Sequence, residues 1–358
     1  MTSPFEPLRL PHGGTLPNRF MLAPLTNQQS HPDGTLSDDE FRWLTMRAAG
    51  GFGLVTTCAA HVQAAGQGFA GQLGIFDDVH LPGLSRLADA IAEHGAIGIV
   101  QLHHAGIRAV PDLIGGAPVG PSADPDTGSR ALATAEVEQA IVDFVAGAER
   151  AQRAGFQGVE LHGAHGYLIC AFLSAELNQR DDHFGGPLEN RARFLMNIVH
   201  GVRAACGPNF VLAVRLSPER FGMQLAEVAE VYSWLVESGE VDLIDMSLWD
   251  VFKEAHESEH AGKQLLELYT SIPRGNLKLA VAGKIATPQD AQKVIDLGAD
   301  IAALGRGAIL HHDYPNKTKA DPHFTPRTLP VAAEVLRSEG LSEPFVNYMK
   351  MWTGFVSE

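Results

Sequence analysis

Short apolar runs alternate with amphipathic stretches along most of this chain of 358 residues. The apolar runs predict buried β-strands, and apolar positions at helical spacing between them predict helices. Eight such alternations favour a parallel sheet that closes as a barrel with helices around it. The predicted strands are Arg19–Leu25, Gly53–Ala59, Ile97–Leu102, Gly158–Leu161, Val211–Leu216, Leu243–Met246, Leu277–Ala282 and Ile301–Leu304. The predicted helices include Leu84–His94, Ala135–Ala154, Ala192–Ala205, Ala226–Ser238 and Pro288–Leu297.

We therefore expect an α/β fold, a single (β/α)8 TIM barrel in which residues 1–358 form one domain. No internal repeat and no linker rich in Pro, Gly or Ser divides the chain. Pro7–Asn18, centred on Gly13 and Gly14, predicts a hairpin that closes the barrel bottom before the first strand. An open doubly wound sheet is the alternative, and it is less favoured because no G-x-G-x-x-G motif opens the first helix.

Two segments lie outside this alternation. Pro118–Gly128 is predicted to be a loop within the domain, and Leu329–Gly340 is predicted to be the last helix. The tail beyond it contains Tyr348, Trp352 and Phe355. The sequence leaves open whether these aromatic side chains pack on the barrel or on a second copy of the chain in a homo-oligomer.

Polar residues stand at the ends of the predicted strands, where barrels of this kind carry their chemistry. The densest group follows the fourth strand, where His162, His165 and Tyr167 are separated by Gly163 and Gly166. Two imidazoles and a phenol can polarise a carbonyl group and deliver a proton. The polar or glycine residues at the other strand ends are Thr26, Asn27, Cys58, Gln101, His103, His104, Arg215, Trp249, Gly283, Lys284, Gly305 and Arg306.

The spacing His162-x-x-His165 also suits a metal, with Glu160 as a third ligand on the same strand face. This alternative describes a metal-dependent barrel hydrolase. The spacing alone does not decide between the two interpretations.

Two more features point to a phosphorylated heterocycle. Arg215 and Gln101 end apolar strands, where a guanidinium and an amide need polar partners. A flat ring with imide edges would satisfy both. Gly283, Gly305 and Arg306 follow the seventh and eighth strands, where barrels of this kind often bind phosphate through backbone N–H groups.

Composition limits the class of partner. The formal charge of −15 argues against nucleic acids and anionic membranes, which attract basic surfaces. No apolar run reaches transmembrane length, and the start of the chain lacks a signal-peptide core. The three scattered cysteines, Cys58, Cys170 and Cys206, form no disulfide framework, which indicates a cytoplasmic protein.

Several motifs resemble those of the Old Yellow Enzyme family of FMN-dependent NADH:flavin oxidoreductases, also called ene-reductases. The resemblance extends from Pro7 to about Pro315. Its most specific part is ELHGAHGYL followed at fixed spacing by FGGPLENRARF. The matching segments are Ala23–Thr26, Gln101–Gly106, Glu160–Leu168, Phe184–Phe194, Val214–Glu219 and Leu304–Arg306.

The resemblance implies non-covalent FMN, reduced directly by NADH or NADPH, and reduction of the activated C=C bond of α,β-unsaturated carbonyl or nitro compounds. It implies that His162 and His165 bind the substrate oxygen and that Tyr167 donates the proton. Gln28 and Trp249 would contact the substrate. The residues that would bind the cofactor are Ala23, Pro24, Thr26, Ala59, Gln101, Arg215, Gly283, Gly305 and Arg306. A flavoprotein with a binding or sensing role is a further alternative.

The chain also departs from the pattern of many relatives. It has Phe184 in place of Tyr, Pro187 in place of Ser, and Ala171 in place of Gln. Thr26 stands where some relatives have Cys, and Gln28 and Gln29 replace an aromatic residue over the substrate pocket. These departures leave the substrate preference open.

Overall fold

The computed structural model describes residues 2–357 as a closed barrel of eight parallel strands surrounded by helices. Each barrel strand pairs with the next one along the chain, and the eighth pairs with the first. The predicted (β/α)8 fold is therefore confirmed. The barrel strands are Phe20–Leu22, Leu54–His61, Ile97–His103, Gly158–Gly163, Val211–Leu216, Leu243–Ser247, Lys278–Ala282 and Ile301–Leu304.

The five predicted helices are present with boundaries that shift by a few residues. Ser37 caps a helix that the sequence pattern did not reveal, at Asp38–Ala49, by accepting a hydrogen bond from the N–H of Glu40. The α-helices are Asp38–Ala49, Leu81–Glu93, Pro111–Ile114, Thr134–Arg153, Leu168–Leu173, Leu188–Cys206, Leu225–Ser238, Leu265–Thr270, Pro288–Asp296, Arg306–Leu310, Tyr314–Ala320, Ala333–Ser338 and Glu343–Lys350.

The prediction for the C-terminal segment was partly wrong. The helix expected at Leu329–Gly340 covers only Ala333–Ser338, and a further helix follows at Glu343–Lys350. Pro344 lies in the first turn of that helix, where backbone N–H groups have no partner within the helix, so its missing N–H costs no hydrogen bond. The predicted loop Pro118–Gly128 also contains a short strand, Val119–Gly120, which pairs with Arg130–Ala131.

The predicted N-terminal hairpin is formed by Leu8–Arg9 and Thr15–Leu16, which pair antiparallel. Its apolar side chains join the core inside the barrel, where they meet residues at the beginnings of the strands, such as Leu54 and Leu243. The hairpin therefore closes the end of the barrel opposite the strands' carboxyl ends. A second, larger core lies between the strands and the surrounding helices.

Two carboxyl groups interrupt the otherwise apolar interior of the barrel. Glu160 is in register with Ala213, and Asp245 is in register with Ala280. Both alanines belong to the interior core, so the two acids lie on the same inward face. Glu160 and Asp245 are completely buried.

The family departures have simple structural settings. Phe184 is buried against Phe172, with ring centroids 6.4 Å apart. Ala171 is buried within a helix whose six residues are all buried, and Pro187 directly precedes the helix Leu188–Cys206. Among residues 2–357, no helix has both the length and the apolar character needed to cross a bilayer.

Candidate functional site

A cavity of about 620 Å³ opens at the carboxyl ends of the barrel strands. Its size is in the range of small-molecule and cofactor sites, roughly 300–1,000 Å³. The barrel brings almost all of the candidate residues to this cavity from distant parts of the chain. Those that line it are Ala23, Pro24, Thr26, Ala59, Gln101, His162, His165, Tyr167, Arg215, Trp249, Gly283, Gly305 and Arg306.

Gln28 is the exception among the predicted site residues. It does not line the cavity, although Thr26 two positions earlier does. Its backbone has a φ of 57°, and its carbonyl group lies against Gly71. A contact between Gln28 and the substrate stays a prediction.

Backbone strain is concentrated around the cavity. Among residues 2–357, six non-glycine residues have positive φ, a conformation that is uncommon for residues with a Cβ atom. All of them except Gln28 line the cavity. They are His165, Arg220, Phe221, Trp249 and Lys284. Strain of this kind clusters at functional sites, where the surrounding structure holds it in place.

His162 and His165 lie side by side, and their hydrogen bonds determine which nitrogen carries each proton. The N–H of Ala164 approaches Nδ1 of His162 at 3.4 Å, so the proton of this ring is on Nε2. Nε2 of His162 lies 3.3 Å from Nδ1 of His165. Nε2 of His165 in turn lies 2.8 Å from the hydroxyl oxygen of Ser247. Each imidazole therefore carries one donor, and both donors are close to the cavity.

Both histidines are neutral at neutral pH. Burial lowers the pKa of His165 to about 3, and the positive charges of Arg215 and Arg108 act in the same direction. Burial also lowers the pKa of His162 well below its usual range, with smaller contributions from His165 and His103. The pair can donate hydrogen bonds to an oxygen without carrying a positive charge.

Tyr167 is held between His103, which the sequence placed at a strand end, and Arg108, which the sequence pattern did not single out. The ring of His103 packs against it edge-on, with centroids 4.3 Å apart. The guanidinium carbon of Arg108 lies 5.1 Å from the centre of the Tyr167 ring. Arg108 also donates a hydrogen bond of 2.5 Å to the carbonyl oxygen of His165. These contacts fix Tyr167 relative to the histidine pair.

Gln101 and Arg215 line the inner part of the cavity. The side-chain nitrogen of Gln101 donates to Glu160 at 2.7 Å, and its carbonyl oxygen has no hydrogen-bond partner within residues 2–357. Nε of Arg215 lies 3.0 Å from Asp245. Its terminal nitrogens make only long contacts of 3.4 Å, with the carbonyl oxygen of Pro24 and the hydroxyl of Ser247. One acceptor and two donors are thus available to a bound group.

The residues after the seventh and eighth strands bring positive charge to the cavity. Gly283 has a φ of 153°, and a Cβ atom there would lie 2.7 Å from the backbone nitrogen of Asp250, so only glycine fits. Arg306 is exposed, and in the part of the chain that the structure describes it forms no ion pair. Its guanidinium lies 5.8 Å from the ring of Trp352. This free cation is suited to a phosphate.

The C-terminal helix and the residues after it form one wall of the cavity. Phe345, Tyr348, Met349 and Trp352 line it, whereas Phe355 is buried. The rings of Tyr348 and Trp352 meet edge-on with centroids 6.2 Å apart. The tail aromatics noted in the sequence therefore pack on the chain's own barrel in the described residues. These residues lie far along the chain from the other site residues, so no local sequence pattern indicated that they line the same cavity.

Comparison with known proteins identifies the family. The family model described as "NADH:flavin oxidoreductase / NADH oxidase family" matches residues 3–323. The chain belongs to this family. The family includes the Old Yellow Enzymes, and the barrel resembles a solved structure of an old yellow enzyme homologue.

Three relatives illustrate this membership. The probable NADH-dependent flavin oxidoreductase YqiG of Bacillus subtilis is 36% identical over 325 residues, which cover 88% of this chain and 87% of that protein. The NADH:fumarate oxidoreductase of Klebsiella pneumoniae is 34% identical, but the matched part is only 36% of its length. The solved structure of an old yellow enzyme homologue from Zymomonas mobilis has a TM-score of 0.81 with 25% identity, covering 97% of this chain and 99% of that one.

As a member of the NADH:flavin oxidoreductase family, the chain is an NAD(P)H-dependent flavin oxidoreductase with FMN as its cofactor. The residues of the cavity fit this cofactor. The free carbonyl oxygen of Gln101 and the free nitrogens of Arg215 match an imide edge, which both donates and accepts. Arg306 supplies a cation for the phosphate.

The metal-hydrolase alternative is not favoured by the geometry. Among the residues that the structure describes, only His312, Asp313 and Glu339 bring three possible metal-ligating atoms within 4.8 Å of one another. Glu160, His162 and His165 do not form such a group. Glu160 accepts a hydrogen bond from Gln101, and the histidines bond to each other.

Proposed function

We propose that this flavin oxidoreductase reduces the activated C=C bond of α,β-unsaturated carbonyl or nitro compounds at the expense of NADH or NADPH. The observation that carries the proposal is that His162, His165 and Tyr167 line the same cavity as Gln101 and Arg215. When bound, FMN supplies the hydride chemistry of such a reaction. The protein residues supply binding, orientation and the proton.

His162 and His165 act on the substrate oxygen in this proposal. Hydride addition to an activated C=C bond builds negative charge on the carbonyl or nitro oxygen. Neutral donors fixed at that point lower the barrier because they need no reorganisation during the reaction. The low pKa values of the two imidazoles keep both rings uncharged around pH 7, each with one N–H donor.

Tyr167 delivers the proton to the carbon next to the activating group. An ordinary phenol has a pKa of about 10 and is protonated at neutral pH. The edge-on contact with His103 and the guanidinium of Arg108 limit the orientations that the ring can adopt. Trp249 and the C-terminal Tyr348 and Trp352 supply aromatic surface for the rest of the substrate.

The residues proposed to hold FMN come from the ends of several barrel strands. Ala23, Pro24, Thr26 and Ala59 line the part near the first two strands, where backbone and small side chains allow a flat ring to approach. Gln101 and Arg215 would bind the pyrimidine edge of the flavin. Gly283, Gly305 and Arg306 would hold its phosphate.

The test is anaerobic half-reaction kinetics on the FMN-loaded protein. NADH or NADPH is expected to bleach the flavin, and cyclohexenone or a nitroalkene is expected to restore its colour with formation of the saturated product. If oxygen reoxidises the reduced protein but no enone, enoate or nitroalkene does, the ene-reductase proposal is wrong. That result would favour the binding or sensing role.

A further inference from the structure

Glu160 controls the orientation of the Gln101 side chain. The two residues are paired in register on neighbouring strands, and Nε2 of Gln101 donates to Oε1 of Glu160 at 2.7 Å. An amide has one donor end and one acceptor end. Because Glu160 occupies the donor end, the carbonyl oxygen of Gln101 is the end presented to the cavity. No other side chain among residues 2–357 hydrogen-bonds to this amide.

Asp245 forms an ion pair with Arg215. These residues are also paired in register on neighbouring strands, and Oδ2 of Asp245 lies 3.0 Å from Nε of Arg215. The contact anchors the guanidinium on its Nε side. The terminal nitrogens have only contacts of 3.4 Å, beyond the usual length of a strong hydrogen bond, and they remain available to the cavity.

If Glu160, Asp245 and Arg215 were all ionised, the barrel interior would hold two negative charges and one positive charge. Glu160 and Asp245 are both completely buried, and Arg215 is the cation that lies between them. Burial raises the pKa of both carboxyl groups, since an ionised carboxyl loses its hydration there. Asp245 contacts the guanidinium directly, and the positive charge of Arg215 opposes the rise in its pKa. The negative charge of Asp245 adds to the rise in the pKa of Glu160, and Arg215 and the hydrogen bond from Gln101 oppose it.

We propose that Glu160 and Asp245 are positioning residues for FMN, with Glu160 aiming the carbonyl oxygen of Gln101 and Asp245 aiming Arg215 and balancing its charge. The proposal rests on the proposed function, because it takes Gln101 and Arg215 to face the flavin ring. It also gives Glu160 a role that requires no metal.

The experiment measures the dissociation constant for FMN and the midpoint potential of the bound flavin. Glu160→Met removes the acceptor at similar size, and we expect FMN affinity to fall about tenfold, the effect of losing one oriented buried hydrogen bond. Glu160→Gln keeps an acceptor oxygen without a charge and is expected to restore most of the affinity. Asp245→Asn leaves the charge of Arg215 unbalanced, so the midpoint potential is expected to rise.

Asp242→Asn is the matched control. Asp242 is a completely buried acid just before the strand that contains Asp245. It forms an ion pair of 3.0 Å with Arg203 at the end of the barrel opposite the cavity. We expect this change to lower thermal stability while leaving FMN affinity and midpoint potential unchanged. Thermal unfolding identifies variants that do not fold. If Glu160→Met is among them, the midpoint potential of Asp245→Asn decides the outcome.

Two results would overturn the inference, and they are distinguishable. If Glu160→Met and Asp245→Asn match Asp242→Asn in both measurements while the wild-type protein binds FMN and reduces enones, the positioning roles are wrong and the proposed function stands. If the wild-type protein fails to reduce any enone or nitroalkene and Arg215→Ala leaves FMN affinity unchanged, the proposed function fails together with the inference.

Discussion

Nε2 of His162 lies 3.3 Å from Nδ1 of His165, so the two imidazoles form one hydrogen-bonded pair. Nε2 of His165 contacts the hydroxyl of Ser247, and the N–H of Ala164 donates to Nδ1 of His162. In the proposed function both rings act on the same substrate oxygen. The pair is therefore expected to behave as one binding site.

Changing either histidine to Ala is expected to slow enone reduction by about 10²–10³-fold, the usual cost of losing one donor at a developing negative charge. The double variant should lose much less than the product of the two single effects, because the pair acts as a unit. The measurement is single-turnover reoxidation of the reduced flavin by cyclohexenone. His94→Ala, an exposed histidine outside the cavity, is the control. Multiplicative losses would contradict the idea of a single site.

Tyr167→Phe is expected to separate binding from proton delivery. Flavin reduction by NADPH and substrate binding should stay near normal, whereas reoxidation by enones slows. The effect should be small for nitroalkenes, whose product anion can be protonated by water. Tyr232→Phe removes the hydroxyl of a buried tyrosine outside the cavity and serves as the control. Slower flavin reduction with unchanged enone reoxidation would show that Tyr167 is not the proton donor.

Arg215→Ala is expected to weaken FMN binding and to lower the midpoint potential, because the reduced ring loses its counter-charge. The change also leaves Asp245 buried without its partner, which is strongly destabilising in general. Arg203→Ala removes the partner of the buried Asp242 at the other end of the barrel and controls for that loss of stability. Equal potentials in the wild type and the Arg215 variant would contradict the assignment.

Trp352→Ala tests the C-terminal wall of the cavity. Removing this ring takes away aromatic surface and its contact with Arg306, each of which contributes roughly 0.5–1.5 kcal/mol in comparable settings. We expect the KM for cyclic enones to rise about tenfold with little change in kcat. Met351→Ala, at a neighbouring position that is 77% exposed and does not line the cavity, is the control. An unchanged KM would exclude Trp352 from substrate binding.

The stability of the protein should fall in acid because of buried neutral histidines such as His104. Burial lowers the pKa of His104 to about 3. Its Nδ1 accepts from the N–H of Gly106 at 3.0 Å, and Nε2 donates to Gln63 at 3.0 Å. As the pH falls below the unfolded pKa of about 6.5, the unfolded chain takes up a proton that the folded chain does not. Each such group lowers the free energy of unfolding by about 1.4 kcal/mol per pH unit.

Urea unfolding at several values between pH 7 and pH 5 measures this dependence. The stability supplied by neutral His104 is complete above about pH 6.5 and is lost progressively as the pH falls toward the folded pKa. His104→Gln should therefore reduce the pH slope by about one proton, whatever its effect on stability at pH 7. An unchanged slope would show that His104 is protonated in the folded protein.

The sequence alone determined the barrel and the class of site. Continuous apolar runs such as Val211–Leu216 and Ile301–Leu304 carry the strand signal within a few residues, and both were predicted with their observed boundaries. The grouping of His162, His165 and Tyr167 was visible because all three follow one strand. The pattern of apolar residues and the spacing of neighbouring polar residues can both be seen directly in a single sequence.

The tertiary structure decided which residues face one another across the barrel. The contacts of Glu160 with Gln101, Asp245 with Arg215 and Ser247 with His165 arise from strand register and barrel closure. The position of Tyr348 and Trp352 at the cavity depends on how the C-terminal helix packs. Such relationships are set by the packing of elements distant in the chain, so no local pattern of residues reveals them.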